Sequence, residues 1–389
     1  MMRELTADLH IHIGRTEKGA PVKISGSRDL TFRNIAREAS ARKGIDMIGI
    51  IDCQSPDVLE EIADRLEAGE MRELPDGGIA YRDTVIVLGS EIEVCDPGFG
   101  AAHVLAYMPS LEEMASFSGW LASRMKNVRL SSQRVRVTAR ELQERVIAGG
   151  GLFVPAHIFT PHKGIYGHAA ERMSMLLDLD GVSAVELGLS GDTELAGYLS
   201  ELDAFPFLTN SDAHSLPNIA REYNVLRLKE ASFRELGLAL KEAEGRGIAC
   251  NYGLHPALGK YHRSYCAACD KVWEAADAVH DRCPGCGGRI VRGVLDRVLS
   301  IADRDRPPAA SMRPPYIRQV PLRFIPGVGP KLLEKLLAVF GTEMAVLHRA
   351  SPDELASAVG DALAERIVLA REGRLSISPG GGGTFGKLL

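Results

Sequence analysis

Long hydrophobic runs are absent from this chain of 389 residues. No apolar stretch approaches the roughly 20 residues that a membrane-spanning helix needs, so the sequence predicts neither a membrane span nor a membrane partner. The first five residues also lack the apolar core of a secretory signal, which leads us to expect a cytoplasmic location.

Cysteine is scarce, with 7 residues in the chain, and four of these stand in two Cys-x-x-Cys pairs. The other three, Cys53, Cys95 and Cys250, have no regular spacing. This pattern excludes a secreted fold held together by disulfides, and we expect these three side chains to be reduced thiols.

A strong excess of one charge is absent too, since the net charge is −5. The distribution is uneven: residues 1–254 contain 27 Lys and Arg against 37 Asp and Glu, whereas residues 255–389 contain 19 against 14. The basic last third suits a surface that binds a polyanion, but an excess of this size is more often an ordinary solvated surface. The charge distribution alone does not distinguish these two kinds of surface, so the sequence motifs are needed.

The first 250 residues alternate short apolar runs with helix-like segments, which is typical of a parallel sheet with crossover helices. A strand around residues 8–13 is followed by apolar runs at 47–51, 85–92, 103–107, 152–156, 183–187 and 205–208. Helices are predicted at 31–42, 56–67, 138–147, 168–177 and 193–202, the third opened by a capping box at Thr138 and Glu141. Seven strands with polar residues at their carboxyl ends favour a barrel over the alternative, an open doubly wound sheet.

The alternation stops near residue 250, and a chain of this length is expected to form two or three domains. We predict a barrel at 1–250, a cysteine-containing domain at 251–300 and a helical domain at 301–389. Proline-rich sequence at 304–308 and 313–315 predicts a stiff linker. The tail at 379–386 is too rich in glycine to pack by itself.

Histidines and carboxylates recur at the carboxyl ends of the predicted strands, where the active sites of parallel barrels lie. Residues two apart in a strand point to the same side, so His10 and His12 can offer two imidazoles to one ion. One such histidine alone is more often an ordinary core or surface residue, but the recurrence of the pattern predicts a metal site. In chain order the predicted ligands are His10, His12, Glu91, His103, His157, Asp212 and His214.

The two Cys-x-x-Cys pairs have the spacing of a four-cysteine zinc site. Four thiolates complete a tetrahedral shell and leave no open position, so the predicted zinc is structural. A redox pair or a chance pairing is the alternative. The predicted ligands are Cys266, Cys269, Cys283 and Cys286.

The segment 324–331, Phe-Ile-Pro-Gly-Val-Gly-Pro-Lys, has the composition of a helix-hairpin-helix. Gly327 and Gly329 allow a tight turn that exposes N–H groups at a helix N-terminus, where a DNA phosphate can bind beside Lys331. The alternative is a tight turn between two helices without a ligand. A weaker copy at 355–367 lacks the second glycine.

Bridging carboxylates together with neutral imidazoles favour a multinuclear site of zinc, manganese or iron. Two ions can hold a scissile phosphate between them and activate a water molecule, so a phosphoester is the expected substrate. DNA-binding motifs on the same chain make a phosphodiester more probable than a small monoester.

The strand 8–12 with Asp-Leu-His-Ile-His, the residues Glu91, His103 and His157, and the segment 210–214 resemble the motifs of the polymerase-and-histidinol-phosphatase (PHP) family. The resemblance covers about 250 residues. It implies a distorted (β/α)7 barrel with two or three divalent ions of zinc, manganese, magnesium or iron, followed here by the zinc and helix-hairpin-helix units. It assigns one ion to His10, His12, Glu91 and Asp212 and a second, bridged by Glu91, to His103 and His157, with Asp212, His214 and Glu91 as catalytic residues.

Two departures from the family pattern concern a third ion. The positions that usually provide its other histidine ligands are occupied here by Lys18 or its neighbours and by Cys53. Either a thiolate from Cys53 replaces a histidine beside His214, or the third ion is absent or weakly held. Asp52 is expected to lie behind the ligands.

The order of units resembles PHP proteins that act in DNA repair. This resemblance implies a metal-dependent endonuclease that cuts duplex DNA 5′ to a uracil, hypoxanthine or xanthine base or an abasic site, leaving a 3′-hydroxyl and a 5′-phosphate. It also implies association with the nucleoid and with replication or repair proteins. The alternatives are a small-molecule phosphoesterase with the same barrel and an inactive PHP scaffold that binds DNA.

Overall fold

The computed structural model describes residues 1–273, 282–308, 313–380 and 384–388, so parts of the predicted cysteine unit, linker and glycine-rich tail lie outside the described residues. The strands are β1 (Arg3–Ile11), β2 (Met47–Ile50), β3 (Arg72–Glu73), β4 (Ile79–Tyr81), β5 (Thr84–Val94), β6 (Ala102–Met108), β7 (Leu152–Pro155), β8 (Val185–Glu186), β9 (Phe207–Leu208), β10 (Tyr223–Leu228), β11 (Gly247–Gly253), β12 (Tyr265–Cys266), β13 (Ile290–Val291), β14 (Tyr316–Arg318), β15 (Ile377–Ser378) and β16 (Lys387–Leu388). The helices are α1 (Phe32–Glu38), α2 (Pro56–Glu67), α3 (Leu111–Ala122), α4 (Ala139–Ala148), α5 (Thr193–Ala196), α6 (Phe233–Leu240), α7 (Val294–Ile301), α8 (Pro330–Phe340), α9 (Glu343–His348), α10 (Pro352–Val359) and α11 (Asp361–Arg371). None of the described helices has the length and apolar character needed to cross a membrane.

Seven strands, β1, β2, β5, β6, β7, β8 and β9, close the predicted barrel. β1, β2 and β5 are parallel neighbours, and β8 is parallel to β9. Between β7 and β8 the backbone N–H of Ser183 donates to the carbonyl of Phe153 at 2.9 Å. The barrel closes where Ala213, after β9, bridges in parallel to Ile11 of β1. The seven predicted strands and the barrel are confirmed.

The direction of β6 distorts the barrel. This strand runs antiparallel to both of its neighbours, β5 and β7. Only residues 95–101 separate β5 from β6, whereas a crossover to a parallel neighbour needs about a dozen residues or more. Beyond β1 the sheet continues through the antiparallel strands β10 and β11, which the apolar pattern did not indicate.

The strand β1 changes its orientation just before the metal ligands. Leu9 packs in the apolar cluster that fills the barrel, whereas Ile11 packs in the outer cluster between barrel and helices. The pairing of β1 with β2 shifts in register between Asp8 and Ile11. Such a shift changes which side chains face the interior, and it brings His10 and His12 to the open end of the barrel.

The predicted helices at 31–42, 56–67 and 138–147 correspond to α1, α2 and α4, and Thr138 caps α4 by accepting from the N–H of Glu141 at 3.2 Å. The helix predicted at 193–202 is limited to α5 and a short 3₁₀ turn, Ser200–Ala204. The α-helix predicted at 168–177 is wrong. The Glu201 carboxylate accepts from the N–H groups of Met173 and Ser174 at 2.7 and 3.1 Å, which favours the irregular conformation seen there.

The helices α8 to α11 dock on the barrel. The buried Lys43 Nζ lies 2.9 Å from Glu343 Oε1, and Arg42 pairs with Glu334 at 2.6 Å. β14 pairs in parallel with β11, so the sheet continues into the last third of the chain. The domain limits at 250 and 300 remain predictions, and the elements β11 and α7 run across them.

Candidate metal centre

The first group of ligands joins the end of β1 to the segment after β9. His10 Nε2 and His12 Nε2 lie 3.2 Å apart. Asp212 Oδ1 lies 3.5 Å from the first and 3.4 Å from the second. This spacing is typical of atoms that coordinate a single ion.

Two buried carboxylates hold these imidazoles from behind. Glu186 Oε2 lies 2.9 Å from His10 Nδ1, and Asp52 Oδ2 lies 2.9 Å from His12 Nδ1. A carboxylate accepts the hydrogen bond, so in the neutral form that binds a metal each ring has its proton on Nδ1 and a lone pair on Nε2. The two lone pairs and the Asp212 carboxylate converge on one point, which fits a cation.

The electrostatic surroundings of the first group also suit a cation. Burial of His10 disfavours its protonated form, but Glu186, Asp212 and Glu91 raise the pKa of His10 to about 10. The buried Asp212 Oδ1 has no hydrogen-bond partner among the described residues. A divalent ion would satisfy this oxygen and balance the clustered carboxylates.

The second group consists of Glu91 on β5, His103 on β6 and His157 after β7. Glu91 Oε1 lies 2.9 Å from His103 Nδ1 and 3.2 Å from His157 Nε2. Despite its closeness, His103 Nδ1 makes no hydrogen bond within the described part of the chain. Two imidazole nitrogens that converge on one carboxylate oxygen again fit ligands of an ion.

Glu91 lies between the two groups. Its Oε1 faces the second group, while its Oε2 lies 3.6 Å from His12 Nε2. Burial would raise the pKa of the Glu91 carboxyl, but His103 and Lys23 beside it hold the pKa well below its usual range. Glu91 is therefore ionised and placed to bridge two ions, in the arrangement that the family resemblance implies.

His214 lies at the edge of the first group. Its ring centre is 4.7 Å from that of His12, and its Nδ1 lies 3.0 Å from the carbonyl oxygen of Asp212. A carbonyl oxygen only accepts, so Nδ1 carries the proton and Nε2 is free to bind an ion or a proton.

The structure does not bring the expected co-ligands of a third ion to His214. The Cys53 thiol is buried, and its Sγ lies 3.1 Å from the Ile50 carbonyl oxygen, to which it donates. Burial raises the pKa of the Cys53 thiol, which disfavours the thiolate that a metal ligand requires. Lys18 is exposed and pairs with Glu60 at 3.3 Å. The barrel ligands among the described residues form only the two groups above.

The backbone is strained at three positions of the centre. Asp52, His157 and Asp212 have φ values of 80°, 29° and 45°. Side chains with a β-carbon rarely adopt such angles, which cost about 1–3 kcal/mol each. The surrounding fold thus maintains these three side chains in unfavourable conformations, as is common at functional sites.

Three residues of the centre were not predicted: Glu186, Lys23 and Ser132. Glu186 ends β8 after an apolar run, the same signal that indicated Glu91. Lys23 Nζ lies 3.2 Å from Glu91 Oε2 and 2.7 Å from Ser132 Oγ. Neither Lys23 nor Ser132 stands at the end of a predicted strand, so only the tertiary structure reveals that they belong to the centre.

The four predicted zinc ligands lie together at the ends of a small hairpin formed by β12 and β13. Cys266 Sγ and Cys286 Sγ are 3.4 Å apart, and Cys269 Sγ and Cys283 Sγ are 3.8 Å apart. Both distances exceed the roughly 2.05 Å of a disulfide and resemble the edge of a tetrahedron with bonds of about 2.3 Å. The N–H of Ala268, which lies 3.4 Å from Cys266 Sγ, lowers the pKa of this thiol, while the neighbouring thiols raise the pKa of Cys286, as expected for four sulfur atoms that share one site.

The predicted helix-hairpin-helix forms a tight turn before α8. Gly327 has a φ of 95°, a conformation in which glycine is favoured. Gly329 is the N-cap of α8 and provides no side-chain cap. Gly327, Gly329 and Lys331 are exposed. Pro330 has no N–H group and the Leu332 N–H is bonded to the Gly329 carbonyl, so the exposed backbone of Gly329 and Lys331 is the part of this helix start that a phosphate can approach beside the lysine.

Comparison with protein families identifies the C-terminal helices. Residues 321–372 match the model of a SAM-like helix-hairpin-helix tandem. The match includes both predicted hairpins, since α10 and α11 contain the weaker copy at 355–367.

Relatives extend over the whole chain. Protein YqxK of Bacillus subtilis (strain 168) is 50% identical over 390 residues, covering 100% of both chains. Protein MJ0043 of Methanocaldococcus jannaschii is 39% identical over 223 residues, which are 52% of this chain and 28% of that protein.

Two solved structures match along nearly the full length. The lesion-specific endonuclease PfuEndoQ from Pyrococcus furiosus is 30% identical, with a TM-score of 0.84 over 99% of this chain and 95% of that chain. Endonuclease Q in complex with a 27-mer duplex that has an abasic lesion at the active site is also 30% identical, with a TM-score of 0.85 over 99% and 96%.

Proposed function

Because this chain belongs to the endonuclease Q family, we propose that it is a DNA repair enzyme that cuts duplex DNA at damaged nucleotides. It is a metal-dependent DNA endonuclease. The proposed reaction is hydrolysis of the phosphodiester on the 5′ side of an abasic site or of a uracil, hypoxanthine or xanthine base. The observation that carries the proposal is the placement of Glu91 between two ligand groups, in a chain that matches a lesion-specific endonuclease over 99% of its length.

The residues fit a binuclear site. His10, His12 and Asp212 would hold one ion and His103 and His157 the other, with Glu91 between the two groups.

Two divalent ions at such a site activate a water molecule and neutralise charge on the attacking and leaving oxygens of a phosphodiester. Glu186 and Asp52 keep the two imidazoles of the first group in the tautomer that presents Nε2. His214, about one-third exposed, presents an unprotonated Nε2 at the open end, where it can accept a proton from water.

The proposed substrate follows from the units beside the barrel. The first hairpin offers exposed N–H groups and Lys331 to a phosphate, contacts that position a DNA backbone without reading its sequence. A damaged base has to leave the stack to reach the barrel, at a cost of a few kcal/mol that is smaller for a mispaired base and absent for an abasic site.

The loop after His157 is the proposed rim of the lesion site. Phe159 and Tyr166 within it are buried and support the loop from below. One accessible stretch lies between them, where Lys163 pairs with Glu93 and the ring of His162 lies 5.4 Å from that of Tyr261. Residues 160–163, together with the accessible residues 167–168, are therefore the part of this loop that can contact DNA.

The proposal is tested with purified protein, Mn²⁺ and end-labelled duplexes that contain one abasic site, one uracil, one hypoxanthine or no lesion. We expect a single nick on the 5′ side of each lesion, with a 3′-hydroxyl and a 5′-phosphate, and no nick in the undamaged duplex. Equal cleavage of the undamaged duplex would contradict lesion specificity. Hydrolysis of a small phosphomonoester without any nicking would favour the small-molecule phosphoesterase.

Neither alternative is favoured by an observation. A small-molecule phosphoesterase has no use for the helix-hairpin-helix tandem at 321–372. An inactive scaffold has no need of two intact ligand groups with oriented imidazoles. Association with the nucleoid and with replication or repair proteins remains a prediction.

A further inference from the structure

The side chain of Lys23 enters the metal centre from the long loop after β1. Its Nζ lies 3.2 Å from Glu91 Oε2 and 2.7 Å from Ser132 Oγ, and Ser132 Oγ also contacts the same carboxylate oxygen. The side chain is 15% exposed, whereas that of Lys18 on the same loop is 68% exposed. Lys23 thus places a positive charge beside the bridging ligand while keeping one side open to solvent.

Backbone hydrogen bonds anchor the loop that carries Lys23. The Lys23 N–H donates to the Ile13 carbonyl at 2.9 Å, and the Ser27 N–H donates to the His214 carbonyl at 2.8 Å. Gly14 packs so closely that a β-carbon there would lie 2.0 Å from the Ser27 carbonyl oxygen. The backbone of the segment that carries Lys23 is therefore anchored at both ends, and the ammonium group is held by Glu91 and Ser132.

Within the described part of the chain, the residues around Lys23 do not form a further group of metal ligands. Asp52 and Asp212 are the other carboxylates close enough to attract the ammonium group. Asp52 is already bonded to His12, and Cys53 points away towards Ile50. Glu91 Oε2 accepts hydrogen bonds from Lys23 Nζ and Ser132 Oγ. On the side that faces Lys23, this oxygen is therefore not available to a further ion.

We propose that Lys23 supplies the third positive charge of this active site, so that two metal ions and one ammonium group, instead of three metal ions, face the scissile phosphate. The inference rests on the proposed function for the identity of the substrate, whereas the expected number of metal ions does not depend on that function. An ammonium group beside Glu91 can stabilise negative charge that develops on the phosphate oxygens during hydrolysis, without binding a metal itself.

The first test counts metal ions in the full-length wild-type protein. After saturation with Mn²⁺ in the presence of zinc and removal of free metal, we expect three ions per chain by elemental analysis: one zinc at the four cysteines and two ions in the barrel. Four ions per chain would overturn the proposal. This count does not depend on a DNA substrate, so it remains decisive even if the proposed function fails.

The second test compares Lys23→Met with Lys23→Arg and with Lys18→Met as the matched control on the same loop. With an abasic duplex at saturation we expect Lys23→Met to nick about 100-fold more slowly than wild type, the usual effect of removing one stabiliser of transition-state charge. Its metal count and DNA affinity should remain those of wild type. Lys23→Arg should recover part of the rate because it keeps the charge, and Lys18→Met should be unchanged.

Three results would contradict the role of Lys23. The first is that Lys23→Met keeps both barrel ions and nicks DNA at the wild-type rate, which would show that the charge is unnecessary for hydrolysis. The second is that Lys23→Met loses the barrel ions, which would show that Lys23 only balances the charge of Glu91. Equal losses in Lys23→Arg and Lys23→Met would show that the charge itself is not what matters. A wild-type protein that fails to nick the abasic duplex contradicts the proposed function alone.

Discussion

Glu186 on β8 accepts a hydrogen bond from Nδ1 of His10 on β1 at 2.9 Å, although 176 residues separate them. The same carboxylate accepts hydrogen bonds from Asn210 Nδ2 at 2.8 Å and from the backbone N–H of His157 at 3.0 Å. One buried side chain thus connects both ligand groups, and it fixes the imidazole of the first group in the tautomer that can bind an ion.

Replacing Glu186 by glutamine should weaken metal binding without removing a ligand. The amide oxygen is a weaker acceptor and carries no charge, so His10 loses the partner that orients it. We expect metal affinity to fall about 10- to 100-fold, as is usual for such outer partners. Competition with a chelator measures the change. Glu60→Gln, an exposed residue that pairs with Lys18, is the control, and equal chelator resistance of the two variants would disprove the role.

Replacing Asp212 by asparagine should abolish nicking and leave DNA binding intact. The change removes one charge from the first ligand group, whereas the helix-hairpin-helix remains untouched. We expect the rate to fall by about 10³-fold or more, because activation of water by metal supplies several kcal/mol. A gel assay measures nicking and fluorescence anisotropy measures DNA affinity. Asp76→Asn, beside Arg234 on the surface, is the control. Near-normal nicking by Asp212→Asn would refute the metal assignment.

Replacing Cys286 by serine should remove one zinc ion per chain and loosen the unit around it. A closed four-thiolate site contributes directly to folding of the segment that surrounds it. Elemental analysis should show the loss of one zinc with the barrel ions retained, and limited proteolysis should cut faster between residues 260 and 292. Cys95→Ser, outside the cysteine cluster, should match wild type. An unchanged zinc content would rule out the four-cysteine site.

Replacing Lys331 by glutamate should weaken DNA binding and leave the chemical step unchanged at saturating DNA. Lys331 lies in the exposed first turn of α8 beside Gly329. We expect weaker binding of damaged and undamaged duplexes alike, with the slope of affinity against salt reduced by about one. Lys335→Glu has the same charge change one turn further along the helix and should have a smaller effect. Equal effects of both variants would argue against a phosphate site at the turn.

Replacing Glu222 by glutamine should stabilise the protein most at high pH. Burial raises the pKa of the Glu222 carboxyl from 4.5 to about 8. Between these values the folded protein retains a proton that the unfolded chain has released. Stability therefore falls as pH rises through this window, by about 1.4 kcal/mol per pH unit from this group.

Glutamine keeps the acceptor for the Leu254 N–H, which Glu222 Oε1 receives at 2.7 Å, and does not ionise. The gain in melting temperature of Glu222→Gln over wild type should be larger at pH 8 than at pH 5. Glu230→Gln, an exposed residue at the end of the same sheet region, should show no such difference. A gain independent of pH would contradict the buried ionisable carboxyl.

Much of the fold and the site was accessible from local patterns. Apolar runs predicted the seven barrel strands, because each run is long enough to cross the barrel once. The ligands Glu91 and His157 were identified because polar residues at strand ends meet at one end of such a barrel. The cysteine pairs and the Gly-Val-Gly turn are short motifs whose chemistry depends on few neighbours. The family resemblance followed from these same residues.

The sequence by itself determined the barrel strands, the residues at their ends and the units that accompany them, since these depend on periodicity and short spacings, and the family resemblance implied how the ligands divide into two groups. Only the tertiary structure decided which side chains support the ligands. The contact of Glu186 with His10, the burial of Cys53 and the approach of Lys23 to Glu91 all depend on strand order, barrel closure and the path of a loop. Contacts between such distant positions arise from packing of the whole chain, which no local pattern encodes.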